Sequence, residues 1–486
     1  MIMDTCEPSC PLGLWRVSSR GPSRPPSLPC TIPMDKTPLY AAERDCLWHP
    51  FTQMREWMEG EPIVIERAHG ATLVDIEGRE YLDGTGALWC NLHGHHVPEI
   101  DDAIRAQLDK VAHSTLLGLG SEAAARFAGE LVAAAPAPLT RCFYSDSGST
   151  AVEVALKIAF QFWQQERGGQ HRGRTRFLCL TNAYHGDTIG SVSVGGIELF
   201  HKIFGPLLFD AVHAPSPYCY RCPVGREPAT CAMECFDELA RLDRDHQEEI
   251  AAVIVEPLVQ GAAGMIAQPP GYLRRLRELC DELDLLLICD EVAVGLGRTG
   301  TLFASDQEGV VPDLLCLAKG ISGGTLPLAT TLTSERIFDA FLGDYTELKT
   351  FFHGHTYTGN ALACAAASAS LALLTRDGGT LAGVGERAEQ LGRNLEPLAA
   401  HPHVGEVRRR GLMVGVELVA DKATREPYPW TERRGGQVCQ EAIAHGVYLR
   451  PLGDVIVLMP SLTISPAEID RLTETLGEAL DVALGS

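Results

Sequence analysis

The sequence predicts an α/β fold with a large, mixed and mainly parallel sheet and a second, smaller α/β domain. Short apolar segments alternate with helical ones between Ala87 and Ala340, the pattern of a sheet wrapped by helices. Two apolar segments, Leu285–Cys289 and Leu314–Ala318, are followed at once by charged residues, and open α/β sheets place ligand-contacting groups there. Past Gly405 a shorter series of strands and helices continues to the C-terminus.

Composition limits the class of protein. The chain has 486 residues, 45% of them hydrophobic, and lacks an apolar run long enough to span a membrane. Its 41 Lys and Arg against 63 Asp and Glu give a net charge of −22, which argues against nucleic acid or an anionic membrane as a partner. Sixteen cysteines, several inside apolar strands, fit the reduced thiols of a cytoplasmic enzyme better than a disulfide framework.

The chain divides into four predicted regions. Residues 1–33 are rich in Pro, Ser and Cys without hydrophobic periodicity and are predicted to be a disordered extension, so that Met34 is an alternative start. A transit peptide is the other interpretation, but the prolines would break its helix. Residues 34–86 form a segment that joins the small domain, residues 87–360 a large cofactor-binding domain, and residues 361–486 the C-terminal small domain.

Individual elements follow from local patterns. The stretch Ala71–Gly84 alternates apolar and polar residues around turn residues and predicts a hairpin. Phe177–Leu180 and Ala251–Val255 are predicted strands, the second ending at Glu256. Ala361–Leu374 is an alanine-rich predicted helix. Several strands therefore end in polar groups at one crevice.

Asp290 and Lys319 form the central pair of that crevice. Pyridoxal phosphate is held as a Schiff base on a lysine amine, and an acidic residue against its ring nitrogen keeps the ring protonated. The pair suits this cofactor, with Lys319 as the attachment point and Asp290 at the ring nitrogen. A buried Asp–Lys ion pair is the alternative, and the two residues alone do not separate them.

Other stretches suggest how such a cofactor is held. A small-residue loop leads to Gly148 and Ser149 ahead of a helix, where backbone N–H groups suit a phosphate, although a plain strand–loop–helix junction looks the same. Thr150 and Glu153 have the spacing of a capping box. Tyr184, at a predicted strand end, suits stacking on a planar ring. His93, His95 and His96 lack a complementary ligand set and are not predicted to bind metal.

Four motifs carry a family resemblance from about Leu47 to the C-terminus. They are Cys289-DEVAVGLGRTG, Leu317-AKGISGG, Glu256-PLVQGAAGM and Gly354-HTYTGN, and with them the chain resembles a class III aminotransferase of pyridoxal phosphate fold type I. The resemblance implies the cofactor roles just named. It also implies that Thr356 reaches the phosphate of the neighbouring subunit's cofactor, so that a homodimer shares its active sites.

Further motifs resemble the branch of that class that serves biotin biosynthesis, namely Trp48-HPFTQM, Tyr184-HGDT and Leu449-RPLG. This branch converts 8-amino-7-oxononanoate to 7,8-diaminononanoate by ping-pong transfer through pyridoxamine phosphate. The resemblance implies a substrate carboxylate on Arg450, a bidentate match that lysine would not replace. It also places Phe51, Trp89, Gly354, Tyr184 and Lys319 along the substrate site.

The amino donor stays open. Members of this branch that use S-adenosylmethionine typically carry a Tyr, a paired Trp-Trp, a Gly-Pro-Thr and a second Tyr where this chain has Phe51, Leu88-Trp89, Gly354-His355-Thr356 and Val457. Lysine is the alternative donor. The rival functions are another class III ω-amino acid or diamine aminotransferase, an aminomutase with the same cofactor, and a non-catalytic binding protein.

Cys219, Cys222, Cys231 and Cys235 belong to none of these roles. Their C-x2-C-x8-C-x3-C spacing would allow four thiolates around zinc. Because the two pairs are closer together than in common zinc ribbons, a cysteine-rich surface loop without metal is the favoured interpretation.

Overall fold

The computed structural model describes residues 36–485. The predicted disordered extension, residues 1–33, and the alternative start at Met34 lie outside the described residues. Within residues 36–485, none of the helices combines the length and the apolar character that a bilayer-spanning segment requires.

The strands of the described chain are short, most of them two to seven residues long. They are β1 (Ile65–His69), β2 (Thr72–Asp75), β3 (Glu80–Asp83), β4 (Leu139–Ser145), β5 (Arg176–Leu180), β6 (Val212–Ala214), β7 (Ile250–Val255), β8 (Val259–Gln260), β9 (Ile266–Ala267), β10 (Leu286–Asp290), β11 (Leu314–Leu317), β12 (Ala329–Ser334), β13 (Val404–Arg410), β14 (Met413–Leu418), β15 (Val447–Tyr448), β16 (Arg450–Leu452) and β17 (Val455–Leu458).

The helices range from one turn to five. They are α1 (Thr37–Cys46), α2 (Met54–Glu59), α3 (Gly86–Trp89), α4 (Pro98–Leu108), α5 (Glu122–Ala134), α6 (Gly148–Gln165), α7 (Ile189–Ser193), α8 (Glu198–His201), α9 (Glu234–Asp245), α10 (Tyr272–Glu282), α11 (Glu335–Asp339), α12 (Ala361–Thr375), α13 (Val384–Leu395), α14 (Arg434–Ala444) and α15 (Pro466–Leu484). Short 3-10 turns add Glu166–Gly168, Lys202–Leu207, Ala304–Glu308, Lys319–Ser322, Tyr345–Glu347, Thr380–Gly383, Glu396–Ala400 and Trp430–Glu432.

A seven-stranded sheet with the order β4-β12-β11-β10-β7-β5-β6 forms the centre of the fold. Strands β11, β10, β7, β5 and β6 run parallel to one another, and β12 is antiparallel to both of its neighbours. The predicted mixed, mainly parallel sheet is confirmed. Its central strands are buried on both faces, as expected for near-continuous apolar runs covered by helices.

Helix α6 covers the central sheet, and its packing shows how the sequence specifies this contact. Phe162 and Trp163 near its end are fully buried, and the Trp163 indole donates a hydrogen bond to the carbonyl of Ala251 in β7 at 2.7 Å. Burying such aromatic side chains stabilises the fold by about 2–3 kcal/mol each. The helix start is thereby held at the carboxyl ends of the strands.

The two-stranded sheet β8-β9 and two four-stranded sheets complete the described chain. One is antiparallel with the order β13-β14-β17-β16, and the other has the order β1-β2-β3-β15. In the second, β3 pairs with β15 in parallel, Leu82 opposite Val447. Its internal contacts divide the chain into two compact units, one that ends at Val64 and one that begins at Ile65. The four regions expected from the sequence remain a prediction.

Asp243 on α9 is a buried carboxylate outside the crevice. Its side chain is 0% exposed, and within the described chain neither of its oxygens has a hydrogen-bond partner. Burial raises its pKa to about 7 although Arg244 and Arg174 oppose the shift. The folded protein therefore holds a proton that the unfolded chain has already lost between pH 4 and 7, so Asp243 reduces stability increasingly as pH rises through that window.

Replacing Asp243 by asparagine should remove this pH dependence. We expect Asp243→Asn to stabilise the protein by about 2 kcal/mol more at about pH 8 than at about pH 5, relative to the unchanged chain. Chemical denaturation at both pH values measures the difference. The exposed Asp245, paired with Arg241 at 2.6 Å, supplies the control Asp245→Asn. Equal effects of Asp243→Asn at both pH values would contradict the prediction.

Candidate active site

A cavity of about 480 Å³ opens at the carboxyl ends of the parallel strands. Its size lies in the range of small-ligand sites, and it holds six of the site residues expected from the sequence. Its lining consists of Trp89, Ser147, Gly148, Ser149, Tyr184, His185, Gly186, Asp187, Thr188, Glu256, Ala262, Asp290, Val292, Ala293 and Lys319.

Lys319 and Asp290 face this cavity from neighbouring strands. Asp290 is the last residue of β10, and Lys319 opens the 3-10 turn that follows β11. The Lys319 Nζ lies 5.1 Å from the centre of the Trp89 ring. Burial lowers the pKa of Lys319, and the negative charges of Asp290 and Glu256 counteract only part of this shift. A buried amine with a lowered pKa is the form that attacks carbonyl groups.

A buried histidine, His185, fixes the orientation of the Asp290 carboxylate. Its Nδ1–H donates to Oδ2 of Asp290 at 2.7 Å, and the backbone N–H of Val292 donates to Oδ1 at 3.0 Å. Both side chains are buried, His185 at 3% and Asp290 at 4% exposure. A carboxylate fixed by two donors has one defined orientation, which a group against a ring nitrogen requires.

The start of α6 lines the cavity through Ser147, Gly148 and Ser149. The predicted capping box at Thr150 and Glu153 is wrong, because Ser147 is the N-cap and the helix already begins at Gly148. Ser147 Oγ accepts from the Thr150 N–H at 3.3 Å, and Thr150 Oγ1 accepts from the Ser147 N–H at 2.9 Å. Glu153 instead accepts from the Gly190 N–H at 2.7 Å. Gly148 and Ser149, the first residues of the helix, line the cavity, and the first N–H groups of a helix suit an anion.

Gly148 has no room for a side chain, since an added Cβ would lie 2.5 Å from Val292 Cγ1. We expect Gly148→Ala to weaken binding of pyridoxal phosphate by about 10- to 100-fold, because overpacking of about 1–3 kcal/mol displaces the helix start. Titration of the cofactor into apoprotein, followed by absorbance, measures this. Gly129→Ala is the matched control, because Gly129 lies within α5 and a Cβ there meets nothing within 4 Å. Unchanged affinity of Gly148→Ala would contradict the expectation.

Tyr184 and Glu256 also line the cavity. The Tyr184 hydroxyl donates to Asp187 Oδ2 at 2.7 Å, which fixes the phenol ring. Glu256 accepts from the N–H groups of Tyr184 at 3.1 Å and Gly261 at 2.9 Å. Burial raises the pKa of Glu256 to about 7. Glu256 thus sets the backbone position of Tyr184.

Trp89 reaches the cavity on a strained backbone. Ala87, Leu88 and Trp89 all have left-handed φ values, of 49°, 59° and 75°. Each such residue other than glycine costs about 1–2 kcal/mol, so contacts elsewhere must maintain the run. The buried Arg298 supplies them by donating to the carbonyls of Trp89 at 3.1 Å and Asn91 at 2.7 Å, and also to the carbonyl of Pro460.

Four expected site residues lie outside this cavity lining. Thr356 is exposed, and its carbonyl accepts from His113 Nε2 at 2.9 Å. Gly354 is exposed on the same segment. Arg450 is half-buried at the start of β16, opposite Val457 of β17. Phe51 belongs to the unit that ends at Val64, where it has a left-handed φ of 51°. Their roles therefore stay predictions.

Sequence reasoning gave no role to His185, Asp187 or Arg298. His185 and Asp187 follow Tyr184 directly, on either side of Gly186. Two polar residues beside the expected ring-stacking residue are the sequence pattern that could have indicated their place in the site. Arg298 lies in the glycine-rich stretch Gly295–Gly300, which has no hydrophobic periodicity. No sequence pattern therefore indicates that this arginine is buried.

The residues present fit pyridoxal phosphate. The cavity combines a buried lysine of lowered pKa, a carboxylate fixed by His185, a helix start without a side chain at Gly148, and an aromatic wall. These are the attachment, ring-nitrogen, phosphate and ring-face contacts that this cofactor needs.

Comparison with known proteins agrees with this fit. The family model for aminotransferase class III matches residues 54–480. A curated relative from Nitratidesulfovibrio vulgaris, named adenosylmethionine-8-amino-7-oxononanoate aminotransferase, is 60% identical over 89% of this chain and 80% of its own length. The protein of the same name from Geobacter sulfurreducens is 53% identical over 91% of this chain and 97% of its own.

Solved structures show the same architecture. The adenosylmethionine-8-amino-7-oxononanoate aminotransferase of Methanocaldococcus jannaschii is 44% identical with a TM-score of 0.88, covering 92% of this chain and 99% of its own. An amine transaminase from an uncultivated Pseudomonas species, in its PLP-bound form, is 38% identical with a TM-score of 0.85, covering 90% of this chain and 99% of its own.

Proposed function

This chain belongs to the class III aminotransferase family, whose members use pyridoxal phosphate, and we propose that it converts 8-amino-7-oxononanoate to 7,8-diaminononanoate in biotin biosynthesis. The observation that carries the choice of substrate is the 60% identity to the Nitratidesulfovibrio vulgaris aminotransferase of that name. The cavity around Lys319 and Asp290 supports the reaction type. We propose S-adenosylmethionine as the amino donor on the same ground.

The bound cofactor supplies an electron sink that stabilises negative charge on the substrate carbon and carries the amino group between two substrates. Lys319 would hold it and then move the proton between the substrate carbon and the cofactor, a role that a buried amine of lowered pKa fits. Asp290, oriented by His185, would keep a proton on the ring nitrogen.

The remaining residues would orient rather than react. The first N–H groups of α6, at Gly148 and Ser149, would bind the phosphate. Ser149 Oγ is itself held by the Thr188 hydroxyl at 2.7 Å and the Thr188 N–H at 3.0 Å. Tyr184 would cover the ring face, and Trp89 would narrow the path to Lys319.

We further propose a cytoplasmic homodimer with a shared active site. Thr356 is exposed and does not line the chain's own cavity, which supports a contact with the cofactor of a second subunit. Every cysteine within residues 36–485 is a free thiol, which supports a reducing compartment.

Arg450 would bind the far carboxylate of the oxo acid. We expect Arg450→Ala to raise KM for 8-amino-7-oxononanoate by about 10- to 100-fold with little change in kcat, since a charged hydrogen-bond pair far from the reacting carbon is lost. Steady-state kinetics at varied oxo acid measures this. Arg450→Lys should not restore the affinity, because lysine cannot make the bidentate contact. Arg67→Ala, at a 61% exposed side chain, is the control. A kinetically silent Arg450→Ala would refute the carboxylate assignment.

A half-reaction tests the donor and the reaction together. Cofactor-loaded protein is mixed separately with S-adenosylmethionine, with lysine and with 7,8-diaminononanoate, and the absorbance of the bound cofactor is followed. Bleaching by S-adenosylmethionine and by 7,8-diaminononanoate is expected. If lysine bleaches the cofactor absorbance and S-adenosylmethionine does not, lysine is the amino donor. Bleaching by simple ω-amines but not by 7,8-diaminononanoate would favour an ω-aminotransferase, the activity suggested by the amine transaminase likeness.

A further inference from the structure

The connection between β6 and α9 is unusual for a compact domain. Residues 215–233 form neither a helix nor a strand in the described chain. Structureless connections of this length are uncommon inside compact domains and need something to hold them. Four of the cysteines, Cys219, Cys222, Cys231 and Cys235, lie in or directly after this connection, which is called the cysteine loop below.

The four thiols converge although they are spread over 17 residues of sequence, Cys219 to Cys235. Cys219, Cys222, Cys231 and Cys235 all line one cavity of about 360 Å³, distinct from the cavity of Lys319. Other cysteines of the chain, such as Cys179, Cys289 and Cys316, are instead buried singly in apolar strands. Cys219, Cys222 and Cys231 are half-buried and Cys235 is buried. Four thiols that line one cavity have the chemistry of a tetrahedral zinc ligand set.

Polar groups surround Cys231, whose S–H group donates to Glu234 Oε2 at 3.3 Å. The Met233 N–H donates to Cys231 Sγ at 3.3 Å, and Cys231 lies just before the N-terminus of α9, the positive end of the helix dipole. Arg226 also lines the cavity. Burial first, and then the neighbouring Cys231 and Cys222, raise the pKa of Cys235 to about 11, so without a bound ion this thiol stays protonated.

We propose that Cys219, Cys222, Cys231 and Cys235 bind one zinc ion as four thiolates. Among the described residues no three His, Cys, Asp or Glu side chains already stand in a metal-binding arrangement, so binding requires the four thiols to close on the ion. Four S–H groups release four protons and form four Zn–S bonds, leaving a centre of charge −2 beside Arg226. Because protons are released, affinity for zinc rises with pH.

The position of the site predicts a structural role. Arg221, between two of the cysteines, donates to Glu417 of β14 at 2.6 Å, and the Tyr218 hydroxyl donates to the same carboxylate. Gln268 lines the cysteine cavity and donates to the carbonyl of Glu256 at 2.8 Å. A zinc ion bound here would hold the cysteine loop between β14 and the residues around Glu256. The ion would not contact Lys319. This inference is independent of the proposed aminotransferase substrate.

The test is metal analysis of the full-length, cofactor-loaded protein after incubation with zinc and gel filtration. We expect about one zinc per chain in the unchanged protein, and less than roughly a tenth in Cys222→Ser and Cys235→Ser. Cys46→Ser, which removes an exposed thiol outside the cysteine loop, should retain the zinc. Zinc-free protein should melt at a lower temperature while its cofactor absorbance is retained.

A second measurement avoids reliance on variants that fail to fold. Titrating the unchanged protein with a mercurial thiol reagent should release zinc in step with thiol modification, and cobalt substitution should give the visible bands of a tetrahedral thiolate centre. Less than roughly a tenth of a zinc per unchanged chain would overturn the proposal, as would full zinc retention in both loop variants. Loss of two thiols to a disulfide in the purified protein, with no zinc bound, would also overturn it.

Discussion

Replacing Lys319 by alanine is expected to lower kcat by about 10⁴-fold or more, because we propose that the same amine both holds the cofactor and moves the proton. Pyridoxal phosphate should still bind, though weakly, since the Gly148 helix start and the Asp290 side of the cavity remain. Single-turnover kinetics with cofactor in excess separates loss of the proton-transfer step from loss of binding.

Lys202→Ala is the control for this change. Lys202 is 78% exposed and pairs with Glu198 at 2.8 Å, so its removal should leave kcat unchanged. The absorbance of the lysine-linked cofactor should disappear in Lys319→Ala and persist in Lys202→Ala. Retention of that absorbance in Lys319→Ala would show that another amine holds the cofactor.

Replacing Asp290 by asparagine is expected to lower kcat/KM by about 10³-fold, because a neutral amide cannot stabilise a protonated ring nitrogen. The amide preserves shape, so the fold should be retained. The position of residue 290 at the end of β10 and the hydrogen bond from the Val292 N–H to Oδ1 do not depend on a charge. The hydrogen bond from His185 becomes weaker when the carboxylate is replaced by an amide. The absorbance of the bound cofactor measured against pH reports the ring-nitrogen proton directly.

Asp281→Asn, at a 66% exposed carboxylate paired with Arg277, is the matched control and should have normal kinetics. Reconstitution with a cofactor analogue whose ring nitrogen is methylated, and so permanently charged, should restore part of the lost activity of Asp290→Asn. Activity of Asp290→Asn within tenfold of the unchanged enzyme would contradict the assignment.

The fold was predictable because its signals are local. The apolar strands β7, β10 and β11 each end in a polar group, and Asp290 and Lys319 were identified from that feature alone. Gly148, Ser149 and Tyr184 followed from loop composition and strand ends, and the structure brings all five residues to one cavity.

What could not be predicted depends on distant contacts. His185 meets Asp290 across 105 positions of sequence, which no spacing rule connects. The left-handed run at Ala87–Trp89 contradicts local preference and is held by Arg298, more than 200 residues away. The start of α6 was misplaced by three residues at the N-cap, because Ser147 and Thr150 are both good N-cap residues and only the fold selects between them.

The left-handed run also limits how this part of the chain can diversify. At Ala87 and Leu88 the backbone admits Gly, Asn or Asp with least strain and disfavours the β-branched residues, whatever their neighbours. Trp89 shares this left-handed backbone, with a φ of 75°, and in addition its ring lines the cavity beside Lys319. Relatives with wider or narrower cavities can therefore arise by exchanging one ring for another side chain while the path of the chain is retained. At Trp89, backbone strain and the width of the cavity therefore depend on the same residue.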